Sequence, residues 1–394
     1  MKRSDKATSP ALGEAIKLSC VVFYYAVTNL LLRCLKALLF RKNENPARIL
    51  IFRTGSLGDS LCAIPTIAAI KNKFPLAHID ILTNPGKSTL ASIDQLLSPA
   101  VFDSVINYRG LNARQTLALL RKQRYDVVIQ LPQVATTFWR LVRDMFFFRL
   151  VASAGWGWEV GAVLFYRGVQ EKYIEYDNEL TRLSKLAFRN GVRVDNQDFP
   201  LNITTADVGF VETLFQQKGI GSRETIGVVI GAKRPQNRWP LHYFQEVINN
   251  FTPHCDIVLI GGKEDKELAA AVVGNDRLFN LCGVLTPMQS AVALKKCRVV
   301  LSNDTGPMHL SYAMGTPTVA LFSSRDFKAA WFPAQNDKNV VFRSENIACA
   351  LCLSEHCANN VCMQAISPSV VSAAMFRLMN KETAAKSPNQ LNLK

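Results

Sequence analysis

Two runs of short, β-branched strands alternating with helix-length segments predict an α/β protein made of two Rossmann-like units, preceded by an apolar helix. One run lies between Arg48 and Leu131 and the other between Thr225 and Phe322. Several of these strands end in turns rich in Gly, Asp or cations, which is where parallel sheets place their ligands. Two such halves facing a cleft would give a two-domain, nucleotide-handling architecture.

Composition narrows the classes. The chain has 394 residues, enough for two to three domains, and 48% of them are hydrophobic, which excludes a disordered or fibrous chain. Lys and Arg outnumber Asp and Glu by 46 to 31, a net charge of +15. A surface of that sign suits phosphates, nucleic acid or an anionic membrane. Nucleic acid is set aside as a partner, because no recognisable binding module or interleaving of aromatic and basic residues occurs. Ten cysteines are far too few for a disulfide scaffold. Cys20, Cys34 and Cys62 fall in or near apolar segments, where a free thiol behaves as a small buried hydrophobe. This usage predicts a reducing compartment, hence the cytoplasm.

Taken in order, residues 1–45 are a basic and apolar leader to the fold. The uncharged run Leu18–Leu32 is 15 residues, short of the roughly 20 a membrane span needs, and Arg33 and Lys36 separate it from the apolar Ala37–Phe40. Lys2, Arg3 and Lys6 precede the run and Arg41 and Lys42 come after it, with no small-residue cleavage site beyond. The preferred reading is a helix lying in or dipping into the inner leaflet, with its cations on lipid phosphates. A soluble helix packed on the domain and a true single span are the alternatives.

Residues 46–205 form the first Rossmann-like domain, with strands expected at Arg48–Arg53, His78–Thr83, Asp103–Asn107 and Asp126–Leu131, and helices at Ser60–Asn72 and Ala113–Gln123. Phe146–Tyr166 is aromatic and Gly-rich and shows no usable period, and 173–205 reads as helical and then polar. Residues 206–366 form the second domain. Its strands are expected at Thr225–Ile230, Asp256–Ile260, Arg298–Ser302 and Thr318–Phe322, with helices near 241–251, 264–273 and 287–296. In the tail, 367–394, Ser367 and Pro368 open a last helix to about Asn380.

Four strand-to-helix turns carry chemistry. In Gly55-Ser56-Leu57-Gly58-Asp59 two glycines allow a tight turn into a helix whose first amides can meet a ligand. Asp59 either presents a carboxylate to the cleft or merely complements the helix dipole. The spacing is not a dinucleotide fingerprint. In Ser302-Asn303-Asp304-Thr305-Gly306-Pro307-Met308-His309 the amides of Thr305 and Gly306 can hold a diphosphate, and His309 lies one turn on. The loop 231–240 carries Lys233, Arg234 and Arg238 beside Trp239, either a phosphate clamp or a solvated basic loop. In Gly261-Gly262-Lys263-Glu264-Asp265 the acid either bonds ribose hydroxyls or starts the next helix.

In this order, these loops resemble those of the heptosyltransferase family of bacterial lipopolysaccharide synthesis, glycosyltransferase family nine, over roughly residues 47–380. RILIFRTGSLGDSLCAIPTIAAIKNKFP is similar to the family's opening strand, turn and helix. GAKRPQNRWP, VLIGGKEDKELA and SNDTGPMHLSYAMGTPTVALF resemble its three later loops. The resemblance implies a GT-B fold and inverting transfer of heptose from an ADP-heptose to a lipopolysaccharide core acceptor, with no cofactor required for catalysis. It implies Asp59 as general base, with Gly55, Ser56 and Gly58 shaping the acceptor-side turn. Asp304, Thr305, Gly306 and His309 would lie at the nucleotide diphosphate, and Asp265 near the ribose. Two departures stand out. Asn237 occupies the place of a frequent lysine, leaving Arg238, Lys233 or Arg234 to supply charge, and Gln130 stands where an acid is frequent. A transferase for another nucleotide sugar or acceptor, or a catalytically weak binding protein at the membrane, are the competing readings.

Cys349, Cys352, Cys357 and Cys362 lie within 14 residues, a set able to hold a structural zinc ion or an iron–sulfur cluster, or else a group of unliganded thiols in a loop. The expected location is the cytoplasmic face of the inner membrane.

Overall fold

The computed structural model describes residues 12–84, 93–165, 176–195, 198–274, 276–333, 336–345 and 347–385. The basic residues Lys2, Arg3 and Lys6 and the last nine residues of the tail lie outside this set. The chain divides into two compact units, residues 1–202 with 327–332, and residues 203–326 with 333–394.

In the first unit α1 (Leu12–Leu39) is followed by β1 (Arg48–Phe52), α2 (Leu57–Lys73), β2 (His78–Thr83), α3 (Ile93–Leu96), β3 (Ser104–Asn107), α4 (Ala113–Lys122), β4 (Val127–Gln130), α5 (Phe138–Arg149), β5 (Ala154–Trp156) and α6 (Glu179–Arg189). The five strands pair in parallel in the order β3-β2-β1-β4-β5. Ile49, Leu50 and Ile51 of β1 are fully buried, as expected for a strand covered on both faces. Leu50, Leu82 and Val128 share a core with Leu32 of α1, with Leu141, Met145 and Phe148 of α5, and with Phe40 stacked on Trp158 at 4.4 Å. The aromatic stretch without a usable period thus contains the end of α5 and β5. Its aromatic residues serve both the core and the surface, which hides the 3.6-residue signal.

The second unit runs α7 (Thr205–Lys218), β6 (Thr225–Val229), α8 (Leu241–Phe251), β7 (Asp256–Leu259), α9 (Lys266–Ala270), β8 (Leu278–Asn280), α10 (Pro287–Lys295), β9 (Val299–Asn303), α11 (Gly306–Ala313), β10 (Thr318–Phe322), β11 (Asn339–Arg343), α12 (Val361–Gln364) and α13 (Pro368–Ala385). Its six-stranded sheet has the order β11-β10-β9-β6-β7-β8, with every neighbouring pair parallel. Phe244, Val247, Ile248 and Phe251 of α8, together with Val371, Met375 and Leu378 of α13, pack on the strand residues Ile226, Ile257, Leu301 and Leu321. The edge strands β8 and β11 escaped the sequence reading because they are short and only half-buried or exposed.

Both sheets reverse direction once. In the first unit the strand order turns between β1 and β4, and in the second between β6 and β9. A parallel sheet opens a crevice beyond its carboxyl ends at such a switch point. Each of the four chemically loaded turns comes directly after β1, β6, β7 or β9.

Candidate functional sites at the two switch points

At the first switch point, Arg53 follows the end of β1 and the chain turns through Gly55, which has φ +143°. A Cβ at Gly55 would lie 2.3 Å from Cβ of Asp59, so only glycine lets the turn close over that side chain. Ser56 is the N-cap of α2, and its backbone N–H and its hydroxyl each donate to Oδ2 of Asp59 at 2.7 Å. Asp59 therefore does cap its helix, the structural role that the sequence left open. Its side chain remains 15% exposed, and its Oδ1 lies 3.9 Å from Arg53 Nη2. One carboxylate oxygen is fixed by the turn while the group keeps access to solvent.

The sequence reading overlooked Arg53. It is fully buried and donates to the carbonyls of Leu131 and Pro132 at 3.2 Å, to the Asp59 carbonyl at 2.7 Å and to Glu179 Oε1 at 3.1 Å. It thus ties the turn after β1 to the turn after β4 across the switch point. Gln133 strengthens this tie by donating to the Thr54 carbonyl at 3.2 Å. Glu179 has no exposed side-chain surface, and Arg182 binds it through two nitrogens at 2.7 and 2.8 Å. Burial pushes the Glu179 carboxyl up, but Arg182 and then Arg53 outweigh it and hold the group below the ordinary carboxylate value. Arg53 carried no sequence signal because an Arg at a strand end usually reads as solvated. Gln130, the second departure from the family pattern, is buried and donates to Asp144 Oδ2 at 2.9 Å, so a carboxylate is present there after all, supplied by α5.

At the second switch point, Asn303 closes β9 and donates to the Ile230 carbonyl of the neighbouring turn at 2.8 Å. The next residues, Asp304 to Pro307, are half-buried and open α11. Thr305 is the N-cap, extended and with no side-chain hydrogen bond to the helix, so no side chain of its own covers the first-turn amides. His309 is buried with Nδ1 2.9 Å from the Tyr312 hydroxyl, and burial lowers its pKa to about 4. At neutral pH it is an uncharged imidazole, able to hydrogen-bond a nucleotide but not to neutralise one.

Asn237, flagged as a missing cation, is buried and well used. It donates to Asp304 Oδ2 at 3.0 Å and accepts from Ser323 Oγ at 2.8 Å, joining the turns after β6, β9 and β10. Trp239 fixes the end of the same loop, its backbone N–H donating to Asn303 Oδ1 and its indole to the Ile366 carbonyl, both at 3.0 Å. Arg238 is half-buried, and its Nε donates to the Ala232 carbonyl at 3.0 Å across its own loop. Lys233 and Arg234 are exposed, and Arg234 lies 3.8 Å from Glu355. Asp265 does start a helical turn, as one of its two readings has it. Its Oδ2 accepts the Gly262 amide at 3.0 Å and starts its own helical turn. Its Oδ1 lies where a Cβ on Gly231 would come within 2.1 Å, so Gly231 admits it. Burial raises the Asp265 carboxyl, the Gly262 amide lowers it, Glu264 raises it and Arg238 lowers it, leaving it above its ordinary value.

The four cysteines do converge. Cys349, Cys352, Cys357 and Cys362 line one cavity with Gln236, Arg325, Asn360 and Val361. All four are free thiols, three of them exposed and Cys362 buried. Of the two readings of this set, the structural metal finds no support. Among the described residues no three Cys, His, Asp or Glu side chains are grouped to hold a metal ion. The exposed thiols line the cavity without closing on a common centre. What the loop does is brace the site, since Asn360 donates to the Arg238 carbonyl at 2.9 Å and Gln236 donates to the Glu355 carbonyl.

Comparison with known proteins agrees with this geometry. The chain is 25% identical over 311 residues to lipooligosaccharide heptosyltransferase 2 of Haemophilus influenzae, covering 75% of this chain and 88% of that protein. Its fold matches a glycosyl transferase family 9 structure from Veillonella parvula with a TM-score of 0.67 at 21% identity, over 86% of this chain and 99% of that one. It also matches the structure of E. coli ADP-heptose lps heptosyltransferase II with a TM-score of 0.58 at 21% identity, over 85% and 99%. The sequence profile of glycosyltransferase family 9 (heptosyltransferase) matches residues 114–362, which take in every loop of the second switch point and end at Cys362. With well over half of its length matched and both switch-point sheets in place, the chain belongs to glycosyltransferase family 9 and is a glycosyltransferase of the heptosyltransferase type.

Proposed function

We propose that this protein transfers a heptose from an ADP-heptose to a lipopolysaccharide core acceptor, with inversion at the anomeric carbon, on the cytoplasmic face of the inner membrane. The observation that carries the reading is the second switch point. There the Asp304–Pro307 turn presents helix amides without a side-chain cap, beside a loop that holds Arg238. A leaving nucleoside diphosphate gains negative charge as the glycosidic bond breaks, and oriented amides with a nearby guanidinium stabilise it. His309 acts there as a neutral hydrogen-bonding group. The named substrates of the similar heptosyltransferases of Haemophilus influenzae and E. coli support the choice of sugar and acceptor.

Asp59 is the general base of this reading. A single displacement needs the acceptor hydroxyl deprotonated as it attacks, and a positioned carboxylate assists that step. The two bonds from Ser56 fix Oδ2, so the side chain meets an acceptor in one orientation. No step is assigned to a cofactor. The deciding measurement is turnover with a panel of ADP- and UDP-sugars on heptose-deficient core acceptors. Transfer from ADP-heptose alone is the expected result. Preferential transfer from a UDP-sugar would replace the donor assignment, and nucleotide-sugar binding without any transfer would favour a binding protein.

A further inference from the structure

Helix α1 is built inside out for a soluble protein. Its buried residues include Thr28 and Asn29, whereas Ile16, Phe23, Tyr24, Leu30, Leu31 and Leu38 are exposed. The polar atoms face the fold. Asn29 Oδ1 accepts the Val160 amide at 3.2 Å, Lys36 Nζ donates to Asn190 Oδ1 at 3.2 Å, and Arg33 lies 3.9 Å from Glu159. Cys20 and Cys34, expected to be buried, are exposed on the same helix.

Helix α5 packs beside α1 and adds a second exposed apolar row. Leu141, Asp144, Met145 and Phe148 turn inward, and Asp144 accepts from Gln130 at Oδ2 and from Arg143 at Oδ1. Outward, at spacings of four, three and four residues, stand Trp139, Arg143, Phe146 and Leu150. Trp139 is 77% exposed, Phe146 54% and Leu150 56%, with Arg140 and Arg149 exposed beside them. Large apolar side chains in a row, interleaved with Arg, fit the boundary between lipid headgroups and acyl chains. Trp and Phe enter the apolar side there, and guanidinium groups pair with phosphates. A helix of 12 residues is about 18 Å long, too short to cross a bilayer, so α5 can only lie in its surface.

We propose that α1 and α5 together form one docking face for an anionic lipid bilayer. In it Trp139, Phe146 and Leu150 insert among the acyl chains and Arg140 and Arg149 hold lipid phosphates. The proposal rests on the membrane reading above and adds α5, which by length and composition alone would pass as an ordinary surface helix. Because α5 leads directly from the β4 turn of the first switch point, docking of this face holds that turn near the lipid surface.

The test uses the full-length protein with vesicles of phosphatidylglycerol and phosphatidylethanolamine, against vesicles of phosphatidylcholine. Brominated lipids serve as quenchers of tryptophan fluorescence. The expected result is binding to the anionic vesicles with quenching that disappears in Trp139→Phe. A fall in vesicle affinity of tenfold or more is expected for Phe146→Ser with Leu150→Ser, and for Arg140→Glu with Arg149→Glu. The circular dichroism of each variant reports its folding, and the Trp139→Phe measurement stands alone if the double variants do not fold. Vesicle binding without Trp139 quenching, and with unchanged affinity in folded α5 variants, would overturn the role of α5 while leaving α1 as an anchor. Absence of binding to either vesicle would overturn the membrane reading itself.

Discussion

In the proposed mechanism one carboxylate, Asp59, serves both the fold and the reaction. Its capping of α2 uses Oδ2, and the turn that makes the cap also fixes the carboxylate in place. Asp59→Asn keeps the side-chain shape and loses the base. Turnover is expected to fall by at least about a hundredfold with ADP affinity nearly unchanged, and near-normal turnover in a steady-state assay would remove Asp59 from the mechanism. The buried guanidinium of Arg53 is a separate matter. Arg53→Met leaves Glu179 with one cation fewer in a dry site and strips the guanidinium donors from three carbonyls. A loss of about 3–5 kcal/mol in urea unfolding is expected, the scale for breaking a buried ion pair.

At the level of elements, the loop 231–240 is a strut, and the proposed function makes it a clamp as well. With Asn237 committed to Asp304 and Ser323, and with Lys233 and Arg234 exposed, the charge for a diphosphate falls to Arg238. Arg238→Ala is expected to weaken ADP binding by about 2–4 kcal/mol in calorimetry, and Arg238→Lys to recover little of it, since Lys has no Nε–H for the Ala232 carbonyl. Unchanged ADP affinity in both variants would mean that the loop is purely structural. Helix α1 sets a limit on truncation. Removing residues 1–24 takes away the exposed Leu12, Ile16, Phe23 and Tyr24 and spares Leu32 and Phe40, so a folded protein with weakened membrane binding is expected. Removing residues 1–42 also takes Leu32 and Phe40 out of the core, and loss of folding by circular dichroism is expected. If the shorter truncation sediments with membranes as strongly as the full-length protein, the first half of α1 has no part in the docking face.

For the molecule as a whole, pH acts on the two units at different points. His309, in the second unit, has a folded pKa of about 4, below its ordinary value. The folded state therefore binds fewer protons than the unfolded chain between about pH 6.5 and 4. Its contribution to stability is complete above that window and drains away as the pH falls through it, by on the order of 3 kcal/mol in total. Glu179, in the first unit, is also depressed, so its contribution persists to lower pH and is lost only as the pH drops through its folded value. Urea midpoints are expected to fall between pH 6.5 and 4.5, and His309→Gln to flatten that decline. An equal decline in the variant would assign it to other groups.

The sequence by itself determined the α/β class, the positions of eight strands and the four turns that carry chemistry. Periodicity, β-branched runs and Gly-bearing strand ends are local properties, and they survive folding unchanged. The motif Asp304–His309 was legible for the same reason, since a strand end that runs into Thr, Gly and Pro makes a helix start in almost any context. Only the tertiary structure decided what each side chain meets. Arg53 became the tie between two turns because strand order set β1 beside β4, a neighbour 78 residues away at Leu131. Asn237 changed from a missing charge into a buried link because β6, β9 and β10 lie next to each other. The four cysteines reached one cavity, and the outward stripe of α5 came to stand beside α1. Each of these depends on long-range register and on burial, and a one-dimensional pattern encodes neither.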